Sequence, residues 1–337
     1  MAAVVATTPR ADTGSALGGS VGYLARRLAV ALVTVVVAIS ANFLLFRAVP
    51  GDAASMVKVP GLSAAERMQI RADFGLDQPL GSQYLHYLGQ LAHGNLGISF
   101  ENRKPVTVNL WQAVANTMPM VLLGTVFALV AGMATGLIAA WRRGTVLDAG
   151  GLGAALAFYA MPAQWLGLML ILLAAGHLPS GGISDVFLTG ADWWARAADH
   201  VRHLLLPALT FGLASYGQYA VIIRTSMLET LGEDYVLTAR AKGFSHWSVV
   251  RRHALPNAML PITTLIAMSL GLLVSGAILI ETVFSWPGVG LAVYDAVKAR
   301  DYPMLEGDFL LLTVSVILCN LLADLVYLRL DPRIRSA

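Results

Sequence analysis

Six stretches of this 337-residue chain run free of Asp, Glu, Lys and Arg, or nearly so, over lengths that can cross a bilayer. They are residues 28–46, 105–141, 149–184, 203–223, 253–280 and 309–328, the last holding one acid, Asp324. A hydrocarbon core is crossed by about 20 mostly apolar helical residues. Charged residues make up 13% of the chain and apolar residues 57%, against roughly 25% charged in a soluble domain. So few charges could not cover a soluble surface of this size. Disorder needs the opposite composition. One cysteine, Cys319, excludes a disulfide framework. Membrane β-strands would alternate in ten-residue segments, and these runs do not. The fold class is therefore an all-α polytopic membrane protein with six transmembrane helices.

The helices are expected at 21–48 and, after an extracytoplasmic helical segment at 49–116, within a core at 117–337. The core spans fall at about 117–140, 150–176, 204–229, 259–281 and 308–328, and residues 1–20 read as a disordered, polar tail. The first span is too long for a signal-peptide core and lacks an A-x-A-like site, so it is expected to stay. One side of this arrangement carries 13 Lys and Arg against seven acids, the other ten against 13. The net +6 side is cytoplasmic by the positive-inside rule, which puts both termini inside. In the outer segment, Ser63-Ala64-Ala65-Glu66 is a capping box and Gly75 a stop. Asp77-Gln78-Pro79 opens a second helix with Leu85, Leu88 and Leu91 on one face and Gly94 as its end. A small helical cap and a connection that merely packs on the spans both fit.

Trp193-Trp194 in the second outer loop, 177–202, suits the membrane interface, and Ser285-Trp286-Pro287-Gly288 marks a turn in the third, 281–308. Span 2 carries Gly124, Ala128, Gly132 and Gly136, four apart, a ridge where another helix can approach closely. Pro162 is expected to kink span 3 and Pro207 to begin span 4. No phosphate-cradling G-x-x-x-x-G-K-[ST], H-E-x-x-H or C-x-x-C occurs. The one G-x-S-x-G, at 18–22, lies in the polar tail without a strand before it. Ionisable groups at mid-membrane, which mark ion-coupled carriers, are absent from the expected spans, with Glu281 and Asp324 at span ends. Polar span residues Tyr159, Gln164, Tyr216, Gln218, Thr263, Thr264, Ser269 and Ser275 are pathway candidates, although helix–helix bonding outweighs substrate contact for each.

The inner segment 230–256 is polar and helix-prone between two spans. It reads as a short helix ending at Gly243, a turn over 243–245, and a second helix up to Pro256. A basic helix lying on anionic lipid would account for its cations. Its acids, helix-stop glycine and second helix suit protein docking better.

This segment resembles the cytoplasmic "EAA" loop of ABC importer permeases, with Gly243 followed by Leu255-Pro256 at offsets of twelve and thirteen. Asp234-Tyr235-Val236-Leu237-Thr238-Ala239-Arg240-Ala241-Lys242-Gly243 is similar to the form in the dipeptide/oligopeptide/nickel permease subfamily. Phe74 to Leu80, Gly94 to Ser99, Arg224 to Leu228, Glu281 to Gly290, Arg300 to Pro303 and Tyr327 to Arg333 resemble its first permease subunit, so the likeness covers about 22–335. Two departures stand out: Leu237, Thr238 and Ala239 replace the usual Glu-Ala-Ala, and His253 replaces an Ile.

The resemblance implies a type I ABC importer permease-like fold. It implies an inner-membrane subunit that pairs with a second homologous permease, two ABC ATPases and an extracytoplasmic substrate-binding protein, with no nucleic acid. The chain itself would be no enzyme and bind no cofactor or metal; ATP and Mg would belong to the ATPases. Asp234, Tyr235, Thr238, Ala239, Arg240, Ala241, Lys242, Gly243, Phe244, Ser245, Leu255 and Pro256 would couple to an ATPase, with Ala239 facing its groove. The subfamily handles dipeptides, longer peptides, nickel complexes and some sugars. A secondary transporter would instead show inverted repeats and buried ionisable residues, and an intramembrane hydrolase a nucleophile–base pair.

The charge split sets a topology test. Cysteines at Ser82 and Ser248 are expected to label from opposite faces with a membrane-impermeant maleimide, Ser82 from outside; same-sided labelling contradicts six spans.

Overall fold

In hydrocarbon no water satisfies an open backbone group, so a chain this apolar closes its hydrogen bonds within helices. The protein, seen here in a computed structural model, is described for residues 13–48, 78–188, 190, 192–259, 262 and 278–330. Of residues 13–21, 23, 24, 48, 186, 246 and 323–330 only the backbone is described. The helices are α1 (Thr13–Ala48), α2 (Leu80–Ala92), α3 (Val106–Trp141), α4 (Val146–Ala160), α5 (Ala163–Leu173), α6 (Trp193–Leu231), α7 (Asp234–Ala241), α8 (His246–Val249), α9 (Leu255–Ala258), α10 (Ile278–Phe284), α11 (Val289–Ala299) and α12 (Tyr302–Leu330). The sole bridge among the described residues pairs Ile98 with Pro105.

Four of these helices contain stretches long and apolar enough to cross a membrane: Ala25–Arg47, Val106–Trp141, Trp193–Leu231 and Tyr302–Leu322. The pair α4–α5, bent by 107°, makes a fifth if it is one span. The remaining expected span has its middle, 263–277, outside the described residues, as do the capping box at 63–66 and Gly75. Residues 1–12 also lie outside them, and α1 begins at Thr13, within the expected tail.

Helices overrun the charge-free stretches because a helix does not stop where the bilayer does. α3 starts at Val106, and α6 starts at Trp193 rather than at Pro207, which sits buried inside it. The run Trp193-Trp194-Ala195-Arg196-Ala197-Ala198 favours helix strongly enough to extend it outward. The segment 281–308, expected as the third outer loop, likewise contains α11 and the first turns of α12. Pro162 does break its span: α4 ends at Ala160, Met161 is extended, and Pro162 caps α5.

α3 and α6 form the central pair. A Cβ on Gly124 would stand 2.7 Å from the Ala208 carbonyl oxygen, one on Gly132 2.6 Å from Tyr219 Cβ, and one on Gly136 2.7 Å from the Ala220 carbonyl oxygen. The small-residue ridge thus lets the two backbones touch. An inner core gathers around this seam, with Ala128, Ala155, Tyr216, Ala220, Ile223 and Met227 joined by Val250, Ala254 and Ala258. An outer core holds Met120, Val121, Leu206, Phe284 and Trp286.

α2 packs on α1, but not by the face Leu85 would mark. Leu85 is 70% exposed. The inward stripe is Tyr84, Tyr87, Leu88 and Leu91, at i, i+3, i+4 and i+7. Phe43 draws the two tyrosines in, with ring centroids at 5.2 and 5.5 Å, and Tyr84 Oη lies 2.6 Å from Ser40 Oγ.

Carboxylates are buried at the helix ends opposite the 230–256 segment. Glu281, fully buried, accepts from Thr117 Oγ1 at 2.7 Å and from the Leu291 N–H at 3.0 Å. Thr117 Oγ1 accepts from the Val289 N–H at 2.9 Å. Together they satisfy the first turn of α11, and Gly288 lies directly against both. Trp286 is fully buried, and its indole N–H reaches the Asn116 carbonyl at 2.9 Å. Asp301 caps α12 through the Met304 N–H and accepts from Ser99 Oγ and the Glu101 N–H. Asp308, about two turns further on, is also fully buried. Glu281 and Asp301 serve as anchors for helix N-termini, where the dipole favours negative charge.

Glycine-to-alanine exchange tests the ridge. In a helix it normally stabilises by about 1 kcal/mol. Gly153→Ala, which meets nothing within 4 Å, is expected to raise the melting temperature in detergent slightly. Gly136→Ala is expected to lower it, overpacking costing about 1–3 kcal/mol.

Candidate functional site

The segment 230–256 folds back on itself and onto the spans. α6 ends at Leu231, Gly232 follows as its cap, and α7 runs over Asp234–Ala241. Glu233 and Asp234 stand at the start of α7 and Arg240 and Lys242 at its end, all exposed, which complements its dipole by about 0.3–1 kcal/mol each. The Thr238 hydroxyl bonds back to the Asp234 carbonyl at 2.9 Å. The helix stops in a Schellman motif: Phe244 N–H to the Ala239 carbonyl at 3.4 Å and Gly243 N–H to the Arg240 carbonyl at 2.9 Å. Gly243 takes φ +82°, the left-handed region that a Cβ disfavours.

Ser245 opens the second helix, its hydroxyl accepting from the Ser248 N–H at 3.4 Å. α8, a widened π turn over Val250–Ala254, and α9 run on without leaving helical geometry. The widening falls just before Pro256, whose ring would collide with the carbonyl four residues back in a regular helix. Val250, Ala254 and Ala258 enter the inner core between α3 and α6, while Leu255 is half-buried and Pro256 exposed.

Three contacts close the segment. Val236, Ala239 and Val249 form a small core with Leu231. Asn257 Nδ2 donates to Tyr235 Oη at 3.0 Å. The Phe244 and His253 rings meet at 5.7 Å, which gives His253 a packing role that an aliphatic residue would fill differently. Trp247 stacks 5.7 Å from Trp141, the last residue of α3.

Ala239, expected to face outward, is 5% exposed and points into this small core. It shares a face with Val236, three residues away, and the apolar seam takes both. The outward surface is Tyr235, Leu237, Thr238, Arg240, Ala241, Lys242, Gly243, Phe244 and Trp247, with Ser245 beside them. Leu237, noted only as a departure, and Trp247 and Asn257 were not among the coupling residues expected from the sequence. The i, i+3 pairing of Val236 with Ala239 was the signal that separates inner from outer face.

Four of the eight pathway candidates fall among the described residues. Tyr216 is buried, its ring 6.2 Å from Phe158, so it packs the seam. Tyr159 is 49% exposed on α4, and Gln164 and Gln218 are half-buried. Thr263, Thr264, Ser269 and Ser275 lie outside the described residues. Among the described residues no group of three or more His, Cys, Asp or Glu could hold a metal.

Residues 132–336 match the family described as binding-protein-dependent transport system inner membrane component, and residues 21–122 match the N-terminal region of such membrane components. The chain is 40% identical over 333 residues to the dipeptide transport system permease protein DppB of Escherichia coli strain K12, covering 93% of this chain and 98% of that one. It is 39% identical over 333 residues, with the same coverage, to the di/tripeptide transport system permease protein DppB of Pseudomonas aeruginosa strain UCBPP-PA14. The glutathione transport system permease protein GsiC of Escherichia coli O6:H1 is 36% identical over 313 residues, again covering 93% and 98%. A solved chain of an amino acid ABC transporter superposes with a TM-score of 0.49 at 13% identity, covering 66% of this chain and 95% of that one. The chain is thus a multi-pass permease subunit, ATP hydrolysis being the work of other subunits, and it belongs to the family of binding-protein-dependent transport system inner membrane components.

Proposed function

We propose that this permease subunit serves an importer of dipeptides or short peptides, with six spans and both termini cytoplasmic. It lines half of the pathway beside a second homologous permease. Two ABC ATPases dock on the inner face, and an extracytoplasmic binding protein delivers substrate from outside. The names of the relatives support peptide as cargo, since three of them carry dipeptide, di/tripeptide or glutathione. The observation that carries the coupling role is the two-faced inner segment. Its inner face is filled by Val236, Ala239 and Val249 and continues into the core through Val250, Ala254 and Ala258. Its outer face leaves Leu237 52%, Phe244 43% and Trp247 59% exposed beside four cations. A helix lying on lipid needs no such internal core. A docking element does, because force applied outside must reach the spans. Alternating access then follows from nucleotide-driven population shift.

The direct test is purification of the chain from membranes that express its neighbouring genes. Both ATPases and a second permease are expected to accompany it, and vesicles holding the assembly to accumulate radiolabelled dialanine when binding protein and ATP are supplied. The chain alone is expected not to turn over ATP. Absence of ATPase from the purified material overturns the docking role, and uptake of a nickel complex or sugar in place of peptide overturns the cargo.

Substitutions separate the two faces of the segment. Leu237→Asp is expected to leave the chain inserted and paired while ATPase copurification and uptake fall. A Cβ on Gly243 meets no neighbour within 4 Å, so the main effect of Gly243→Val is backbone strain, about 1–3 kcal/mol at φ +82°. It is expected to weaken docking to a lesser degree. Ala239→Asp is expected to unfold the segment itself, read as increased protease cleavage between α6 and α9. Equal protease resistance of Ala239→Asp and the parent contradicts the inward placement.

A further inference from the structure

One ion pair lies outside the inner segment and outside the pathway candidates, yet joins them. Asp148, in the first turn of α4, is 5% exposed. Its Oδ1 accepts from Arg224 Nε at 2.7 Å and its Oδ2 from Arg224 Nη2 at 2.8 Å, a forked pair. Oδ2 also accepts from the Gly144 N–H at 3.0 Å, in the turn that leaves α3. The Thr145 hydroxyl receives the Asp148 N–H at 3.4 Å and itself bonds the Arg142 carbonyl. One carboxylate therefore holds the end of α3, the start of α4 and the inner third of α6.

The pair is one of two fixed points on the same seam. Gly217 of α6 lies directly against the Ala155 carbonyl and Tyr159 of α4. From Gly217 to Arg224 is seven residues forward on α6, and from Ala155 to Asp148 seven residues back on α4. The two helices thus run antiparallel in matched register, locked at points about 10 Å apart. A slip of one turn would lose the backbone contact and leave both charges unpaired. The outer end of α4 runs to the break at Met161-Pro162, where the chain turns by 107° into α5. The inner end of α6 runs seven residues beyond Arg224 to Leu231, which packs against Val236, Ala239 and Val249 of the inner segment.

We propose that the Asp148–Arg224 pair is a coupling clamp, through which displacement of the inner segment is carried from α6 to α4 and so to the broken helix α4–α5. Both are positioning residues: they touch neither nucleotide nor cargo and act by making α4 and α6 move as one body. The inference rests on the reading of 230–256 as the ATPase-docking element. Non-directional apolar packing along this seam permits sliding; a forked ion pair with a third donor does not.

The experiment uses the full complex, purified with its ATPases and placed in lipid nanodiscs. Cys319→Ser removes the native thiol, and Met161→Cys reports from the break. Labelling by fluorescein maleimide is timed without nucleotide and after trapping with Mg-ATP and vanadate. In this parent the labelling rate is expected to differ severalfold between the two states. In Arg224→Gln and in Asp148→Asn the difference is expected to vanish, while ATPase copurification and ATP turnover persist and dialanine taken up per ATP falls. Arg224→Lys, which offers one contact in place of a fork, is expected to restore part of it. The inference is overturned if Arg224→Gln keeps the parent's difference, if the parent shows none, or if the variants lose it only in proportion to lost ATPase. ATPase failing to accompany the parent overturns the docking role instead, before any labelling is done.

Discussion

The close approach of α3 and α6 is the constraint on which the rest of the structure depends. Lipid tails are as apolar as leucine, so burial in a membrane offers no hydrophobic gain for helix pairing. What remains is contact, and contact scales with how near two helices come. Gly124, Gly132 and Gly136 on α3 leave the backbone of α6 within a Cβ's reach, and Gly212 returns the favour against the Gly124 carbonyl. Several elements are referred to this pair, whereas α1 packs on α12 and α2 on α1. α4 locks onto α6 at Gly217, α10 and Trp286 close the outer end over Met120 and Val121, and the inner segment closes the other end with Val250 and Ala254. Many contacts of about 0.1–0.2 kcal/mol each replace the missing burial term.

The four-residue spacing of small residues was legible in the sequence because helix geometry maps that spacing onto one face without ambiguity. The break at Pro162 and the left-handed turn at Gly243 were legible for the same reason, each being forced by one residue's own backbone limits. Helix ends were less so. A charge-free run marks what tolerates hydrocarbon, whereas a helix continues as long as local propensity allows, so α6 begins fourteen residues before Pro207. Facing was least legible where two apolar stripes compete. On α2, Leu85 belongs to a plausible stripe with Leu88, yet Phe43 selects Tyr84 and Tyr87. On α7, the resemblance suggested that Ala239 faces out, against its i, i+3 pairing with Val236, and Val249 packed on both shows that it faces in. The pairing of Asp148 with Arg224 was invisible, since 76 residues separate two charges that each looked like an ordinary inner-face residue.

The inner segment shows how a polar stretch between two spans can be rigid. Its helices are short, and helices of this length are marginal alone in water. Capping by the Schellman turn, opposite charges at the two ends of α7, and the Tyr235–Asn257 bond each add increments near 1 kcal/mol. The larger part comes from inserting Val250, Ala254 and Ala258 beside α6. Anchoring through the second helix leaves the first presented outward, with its small core keeping it in line. A segment built this way has two surfaces that cannot be exchanged, which is the property a lever needs.

Buried carboxylates follow the same economy in a charge-poor chain. A charge at mid-membrane costs about 2.5–3.5 kcal/mol even on lenient scales, so an ionised acid inside is costly unless donors match it, and Asp308, fully buried, has none among the described residues. Glu281 and Asp301 find them at helix starts, where several backbone N–H groups lack partners. Each also reaches a second element: Glu281 bonds Thr117 on α3, and Asp301 bonds Ser99 and the Glu101 N–H in the turn before α3. Asp148 repeats the arrangement at the end of α3 nearest the 230–256 segment, joining the turn after α3 to α6. Three carboxylates thus tie α3 or its flanking turns to α11, α12 and α6. Small residues set how near the helices lie, but a smooth seam resists separation better than sliding. The directional bonds of these acids fix register at both ends of α3, which apolar packing by itself leaves free.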